Sequence, residues 1–265
     1  LPNDQNNALQ LALLLVTENP SRELFLNTDG IHRFSANDWS RLDSIQKDRA
    51  LSDLKTTWTE LVEEIVGKAQ TQPPKDLRGT MALASVERER GRLDEASKVL
   101  DQYISQKIGT DEYTTSIVAA ANFLADAGRI SQAISILESA RDEQTEQMEI
   151  SFAIGMLFLR SETRDYDRAA KELELVAKVA GNQEAYSSWV RALVLANRFA
   201  EAEEALKGYE GTNIAYSKAM LTALIHRRKS EVLLAGGKTA EAKNELELYR
   251  ASLTKAISVD VANPA

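Results

Sequence analysis

Gly91-Arg92-Leu93-Asp94-Glu95-Ala96-Ser97-Lys98-Val99-Leu100 is the stretch from which the fold follows, because the chain repeats its pattern four more times. The later copies are Gly128-Arg129-Ile130-Ser131-Gln132-Ala133 through Leu137, Arg164-Asp165-Tyr166-Asp167-Arg168-Ala169 through Leu173, Asn197-Arg198-Phe199-Ala200-Glu201-Ala202 through Leu206, and Gly237-Lys238-Thr239-Ala240-Glu241-Ala242 through Leu246. Gly at the turn accepts a left-handed backbone without steric cost, so one helix ends there and the next begins. Asn197 is the next-best residue for that conformation, and the Arg164-Asp165 copy is the least regular. After each turn an apolar residue, an Ala three positions on and a Leu four further fall on one face of a 3.6-residue helix. A recurring Ala predicts two helix backbones crossing closely, since a larger side chain would push them apart. The alanines at 96, 133, 169, 202 and 242 are separated by 37, 36, 33 and 40 residues. Self-similarity in that range marks an array of helix pairs, each stacking on its neighbours to bury its apolar face.

The pattern resembles the tetratricopeptide repeat, a helix-turn-helix unit of about 34 residues. That family places a small residue in its first helix, twelve positions before the Ala of the second. Ala84 and Ala121 comply, Ser230 does so weakly, and Leu157 and Val190 depart. Seven residues after the repeated Ala the family prefers another; Ala140 fits, whereas Tyr103, Val176, Tyr209 and Tyr249 do not. No Pro closes a unit between Pro74 and Pro264. The resemblance covers about residues 76–253 and implies an all-α, right-handed superhelical array of antiparallel helix pairs.

Composition sets further bounds. Hydrophobic residues make up 43% and charged residues 27% of the 265, which fits a folded rather than a disordered chain. Forty acidic against 32 basic residues give a net charge of −8, which argues against a general nucleic-acid surface. Without Cys there is no disulfide, thiolate metal site or Cys nucleophile. The longest apolar run, Leu11 to Val16, is too short to span a bilayer, so no membrane insertion is expected. That run has no basic residues before it, unlike a signal peptide. The first residue is Leu, as in a processed form or an excised piece of a longer protein, and cytoplasm and cell envelope both remain open.

Residues 1–75 read as an N-terminal helical cap. A helix is predicted over 5–17, a small β-hairpin near 24–34 around Asn27-Thr28-Asp29-Gly30, and a helix from Ser35 to about Ala50. Another is predicted over about 52–70, carrying Trp58, Leu61, Val62, Ile65 and Val66. Pro73-Pro74 cannot continue a helix and marks the internal boundary. Five helix pairs are then predicted, over 76–107, 111–142, 146–180, 183–208 and 213–253, and a frayed tail over 254–265.

No catalytic or metal-binding constellation stands out. His32 and His226 are the only histidines and are far apart in sequence, and no HExxH, GxSxG or glycine-rich phosphate loop occurs. Acidic groups such as Glu87/Glu89 and Glu201/Glu203/Glu204 lie beside basic residues and read as solvated helix faces. Trp189, Phe158, Tyr166 and Phe199 recur at helical spacing and read as core. No cofactor is expected.

In tetratricopeptide-like arrays the first helices of successive pairs line a concave groove that receives a partner segment. The resemblance therefore points to Arg78, Met81, Ser85, Thr115, Val118, Asn122, Ser187, Arg191, Arg227 and Arg228 as groove-facing. Asn122 has the donor and acceptor needed to bond a peptide backbone, and Arg78, Arg191, Arg227 and Arg228 the planar fork that grips carboxylates. The expected function is a non-catalytic scaffold or adaptor that binds a protein or peptide, acidic or ending in a free carboxylate. A structural spacer within a larger protein and a helical-barrel hydrolase with paired carboxylates are the alternatives.

Overall fold

A computed structural model of the chain describes residues 5–17, 44–143, 147–180, 182–209 and 214–262. The described residues are all-α, twelve helices with no strand among them. The predicted hairpin near 24–34, with Trp39 and His32, lies outside the described residues. Two compact units divide the chain, Leu1–Ser116 and Ile117–Ala265.

In the first unit, α1 (Gln5–Thr17), α2 (Ser44–Thr71), α3 (Leu77–Glu89) and α4 (Leu93–Lys107) follow in order. The first helix packs on both α2 and α3, and α3 packs on α4. Leu9, Ala12 and Leu15 of α1 meet Trp58, Val62, Ile65, Val66 and Ala69 of α2 and Ala82, Leu83 and Val86 of α3 in one core. The α2 set falls on a single stripe of the helix, which is why that face is buried. No break occurs between the two helices predicted over 35–50 and 52–70; α2 runs continuously through Ala50-Leu51-Ser52, which contains neither Gly nor Pro.

The Pro73-Pro74 connector follows the end of α2, and α1 packs on α3 beyond it. Asp76 caps α3, its carboxylate accepting from the Gly79 N–H at 2.8 Å and from the Asn6 amide of α1 at 2.9 Å. The Gln5 amide donates to the Gln72 carbonyl at 2.5 Å. The N-terminal block and the first repeated pair therefore share a core and a cap. A second departure is Glu87, which is only 1% exposed instead of solvated. Arg90, itself largely buried, donates to the Glu87 carboxylate and to Glu63 of α2, so the charge is paired across two helices.

In the second unit come the rest of α5 (Tyr113–Asp126), then α6 (Ile130–Glu143), α7 (Gln147–Phe158), α8 (Tyr166–Ala180), α9 (Gln183–Leu195), α10 (Phe199–Gly208), α11 (Ile214–Ala235) and α12 (Thr239–Ala262). Neighbours pack in sequence from α6 to α12, and α9 also meets α11. Residues 254–262, expected to fray, belong to α12. That helix runs beside the 22-residue α11 and buries Ala256.

The repeated turn is built the same way each time. Gly91, Gly128, Arg164, Asn197 and Gly237 all have positive φ, between 49° and 81°. In four copies the next residue donates to a carbonyl five back, as Arg92 does to Glu87 at 2.8 Å, and the turn residue donates to a carbonyl three back. The Arg164 copy differs because Thr163 does this capping: its hydroxyl lies 2.9 Å from the Leu157 carbonyl, 3.0 Å from Phe158 and 3.1 Å from Arg160. The repeated Ala donates the first N–H of each second helix and is fully buried in all five copies. The repeated Leu is at most 7% exposed in four copies, but Leu246 is 36% exposed.

Two further features set helix spacing. At Gly155 of α7 an added Cβ would lie 2.6 Å from Leu173 Cγ of α8, so the glycine lets those helices approach closely. Ion pairs about one repeat apart tie neighbouring pairs together: Arg168 to Glu138 at 2.7 Å, Arg141 to Glu172 at 2.9 Å and Arg160 to Asp126 at 2.6 Å. Partly exposed pairs of this kind contribute at most about 1 kcal/mol each, so they set register more than stability.

Candidate functional site

The helix α7 carries more apolar residues than one buried stripe requires. Ile150, Ala153, Ile154, Leu157 and Phe158 are buried, which satisfies the core. Met148, Phe152 and Met156 form a second stripe at i, i+4 and i+8, and this one opens onto a cleft. Val118 and Asn122, also four apart, bring α5 to the opposite side. Val176 of α8 and Asn182, the N-cap of α9, close one end of a cleft of about 510 Å³.

Chemically this is a surface for apolar contact with polar margins. Methionine side chains are flexible and polarizable and adapt to irregular shapes. Met156 remains 36% exposed, so part of the stripe faces solvent. Glu149 contributes one carboxylate at the margin, and Asn122 an exposed amide with no hydrogen-bond partner among the described residues. No group of three His, Asp or Glu side chains placed to hold a metal occurs among the described residues.

The five residues expected to grip a partner fall on four helices. Arg78 is exposed on α3, in the first unit. Asn122 lies in the α5–α7 cleft. Arg191 is exposed on α9 without an ion-pair partner among the described residues. Arg227 and Arg228 both bind Glu231, at 3.0 and 3.1 Å, and Arg228 also donates to Asn197 at 3.1 Å. That pairing holds the Glu231 carboxyl below its usual range, Arg227 being the larger cause and Arg228 the next. The α5–α7 cleft contains none of the four arginines.

Sequence reasoning missed Met148, Phe152 and Met156. A signal was present: apart from Gln147, Glu149 and Ser151, every residue from Gln147 to Phe158 is Gly or apolar, more than a helix with one packed face needs. Of the four aromatics read as core, Trp189 and Phe158 are buried, whereas Tyr166 and Phe199 are half-buried. The acids at 201, 203 and 204 are paired with Arg198, Lys229 and Lys207, respectively. Among the described residues no helix is long and apolar enough to cross a membrane. No family model matches the chain, and no curated protein matches it.

Proposed function

We propose that the chain is a non-catalytic interaction scaffold of tetratricopeptide-like helix pairs, and that the α5–α7 cleft receives a segment of a partner protein. The observation that carries this reading is the solvent-facing stripe of Met148, Phe152 and Met156 opposite Asn122, a position expected to face a groove. Recurrence of the same left-handed turn and the same buried Ala supports the repeat reading. A partner's Leu or Phe buried in the cleft would contribute about 1.5–3 kcal/mol. Asn122 would orient the segment by bonding its backbone, and Arg191, an arginine of this unit without an ion-pair partner among the described residues, would meet an acidic residue.

The test is quantitative affinity capture followed by peptide mass spectrometry with the wild-type chain, Phe152→Ser/Met156→Ser and Arg227→Glu/Arg228→Glu. One set of proteins should be retained by wild type and lost with the cleft variant, at unchanged helical content. The arginine variant should reduce capture less, because those guanidiniums are already shared with Glu231. Capture indifferent to the cleft variant would refute the reading.

A further inference from the structure

The second unit contains another cleft, in the slot that α10 and α12 leave above α11, about 730 Å³ in volume. We propose that this slot is a second docking site, which takes an amphipathic helix whose apolar stripe is flanked by carboxylates.

Its floor follows α11 from Ile214 to His226, a run of about 18 Å at 1.5 Å per residue, or a little over three helical turns. Leu206, Ala219, Ile225 and Leu248 make the interior apolar, and Leu248 is 48% exposed on the wall. The rim is cationic: Lys207 and Lys255 stand there against a single lining carboxylate, Glu203, while Lys218 on the α11 floor donates to the Tyr209 carbonyl at 2.9 Å. Glu203 is already neutralised by Lys229. Lys255 has no ion-pair partner among the described residues, and the Lys207–Glu204 pair is 73% exposed at both ends and so weakly held. A cationic rim on a chain of net charge −8 selects for a partner with carboxylates on both sides of its apolar stripe.

The walls decide the occupant's conformation. All three are helices, which away from their ends bond their backbone groups internally, so they offer no edge to an extended strand. An extended segment would bury its own N–H and C=O groups unpaired over an apolar floor. A helix brings those bonds with it and lays one stripe into the slot.

The probe is a fluorescein-labelled synthetic helix of about 14 residues, Leu on one stripe and Glu on its flanks, with a matched peptide carrying Lys for Glu as control. Fluorescence anisotropy on the full chain should show saturable binding of the Glu peptide in the range of about 1–100 μM, weakened by salt. Leu248→Glu should weaken it about tenfold, and Lys255→Glu about fivefold. Both positions are exposed, and far-UV circular dichroism establishes that each variant is folded. Phe152→Ser/Met156→Ser should leave this binding intact, which separates the slot from the α5–α7 cleft. Equal binding of the Lys peptide, indifference to Leu248→Glu, loss with the α7 variant, or no binding overturns the proposal. Sedimentation of the chain alone adds one more such outcome: self-association abolished by Leu248→Glu would place a second copy in the slot instead.

Discussion

Close approach of α7 and α8 depends on Gly155, and replacing it with Ala tests whether that contact is as tight as the geometry implies. The new Cβ would stand 2.6 Å from Leu173 Cγ and 2.9 Å from its Cδ2, against the ~3.5–4.0 Å at which carbon atoms pack. Leu173 has no exposed surface into which to retreat. Overpacking of this kind costs about 1–3 kcal/mol, and the better helix propensity of Ala returns about 0.8–1 kcal/mol. Gly155→Ala should therefore destabilise the second unit by up to about 2 kcal/mol. Leu173→Ala alone should cost about 2–5 kcal/mol through the cavity it leaves. In the double variant the new methyl enters that cavity, so the total should fall below the sum of the single effects by about 1–2 kcal/mol. The assay is urea unfolding followed by Trp189 fluorescence in a Trp39→Phe/Trp58→Phe background, so that only the second unit reports. Additivity within about 0.5 kcal/mol, or a stabilising Gly155→Ala, would refute the steric argument.

Three other outcomes follow from the structure. Gly128→Val should destabilise by about 2 kcal/mol and Gly128→Asn by less, since φ is +81° and nothing lies within 4 Å of an added Cβ; thermal melts showing equal effects would contradict a purely backbone origin. Arg90→Met leaves the Glu87 carboxylate buried without its partner, so it should cost about 3–5 kcal/mol, most of it recovered on adding Glu87→Leu; chemical denaturation that finds no recovery would exclude the pairing role. The Asp76 carboxyl is held below its ordinary range, first by the Asn6 amide and then by the Gly79 N–H. Its contribution is thus present above the unfolded pKa near 4 and lost as pH falls through the lower folded value. Asp76→Ala should cost about 1 kcal/mol at neutral pH, and its melting temperature should converge on the wild type's as pH falls below the unfolded pKa near 4 and through the lower folded one; a constant gap across pH would rule that out.

The repeated turn was legible because its chemistry is local. Only certain residues accept positive φ, so Gly91, Gly128, Asn197 and Gly237 declared the conformation that the structure has. Arg164 did not, since the carbonyls there are satisfied by the Thr163 hydroxyl, a contact no turn rule anticipates. Tertiary contacts were harder to read. Leu246 has the same register as Leu173 but not the same cover, and Glu87 looks like any surface acid until Arg90 and Glu63 enclose it. The Pro73-Pro74 break marked a real helix end, yet α1 reaches across it to brace the Asp76 cap and pack on α3. In the candidate site Val118 and Asn122 were readable from repeat register. The α7 stripe was signalled only by an excess of apolar residues, which does not reveal which of them the helix buries.

The most direct test of the account places a photo-crosslinking amino acid at Asn122, at Met156 and, as a control away from the cleft, at Lys243. Crosslinks from the first two positions should converge on one segment of one partner protein, with an apolar side chain at their meeting point, and a synthetic copy of that segment should compete them away. The control should capture neither. Identical crosslinking from all three positions, or none from Asn122 and Met156 in an extract that contains the partner retained by affinity capture, would contradict the claim that the α5–α7 cleft is a docking site.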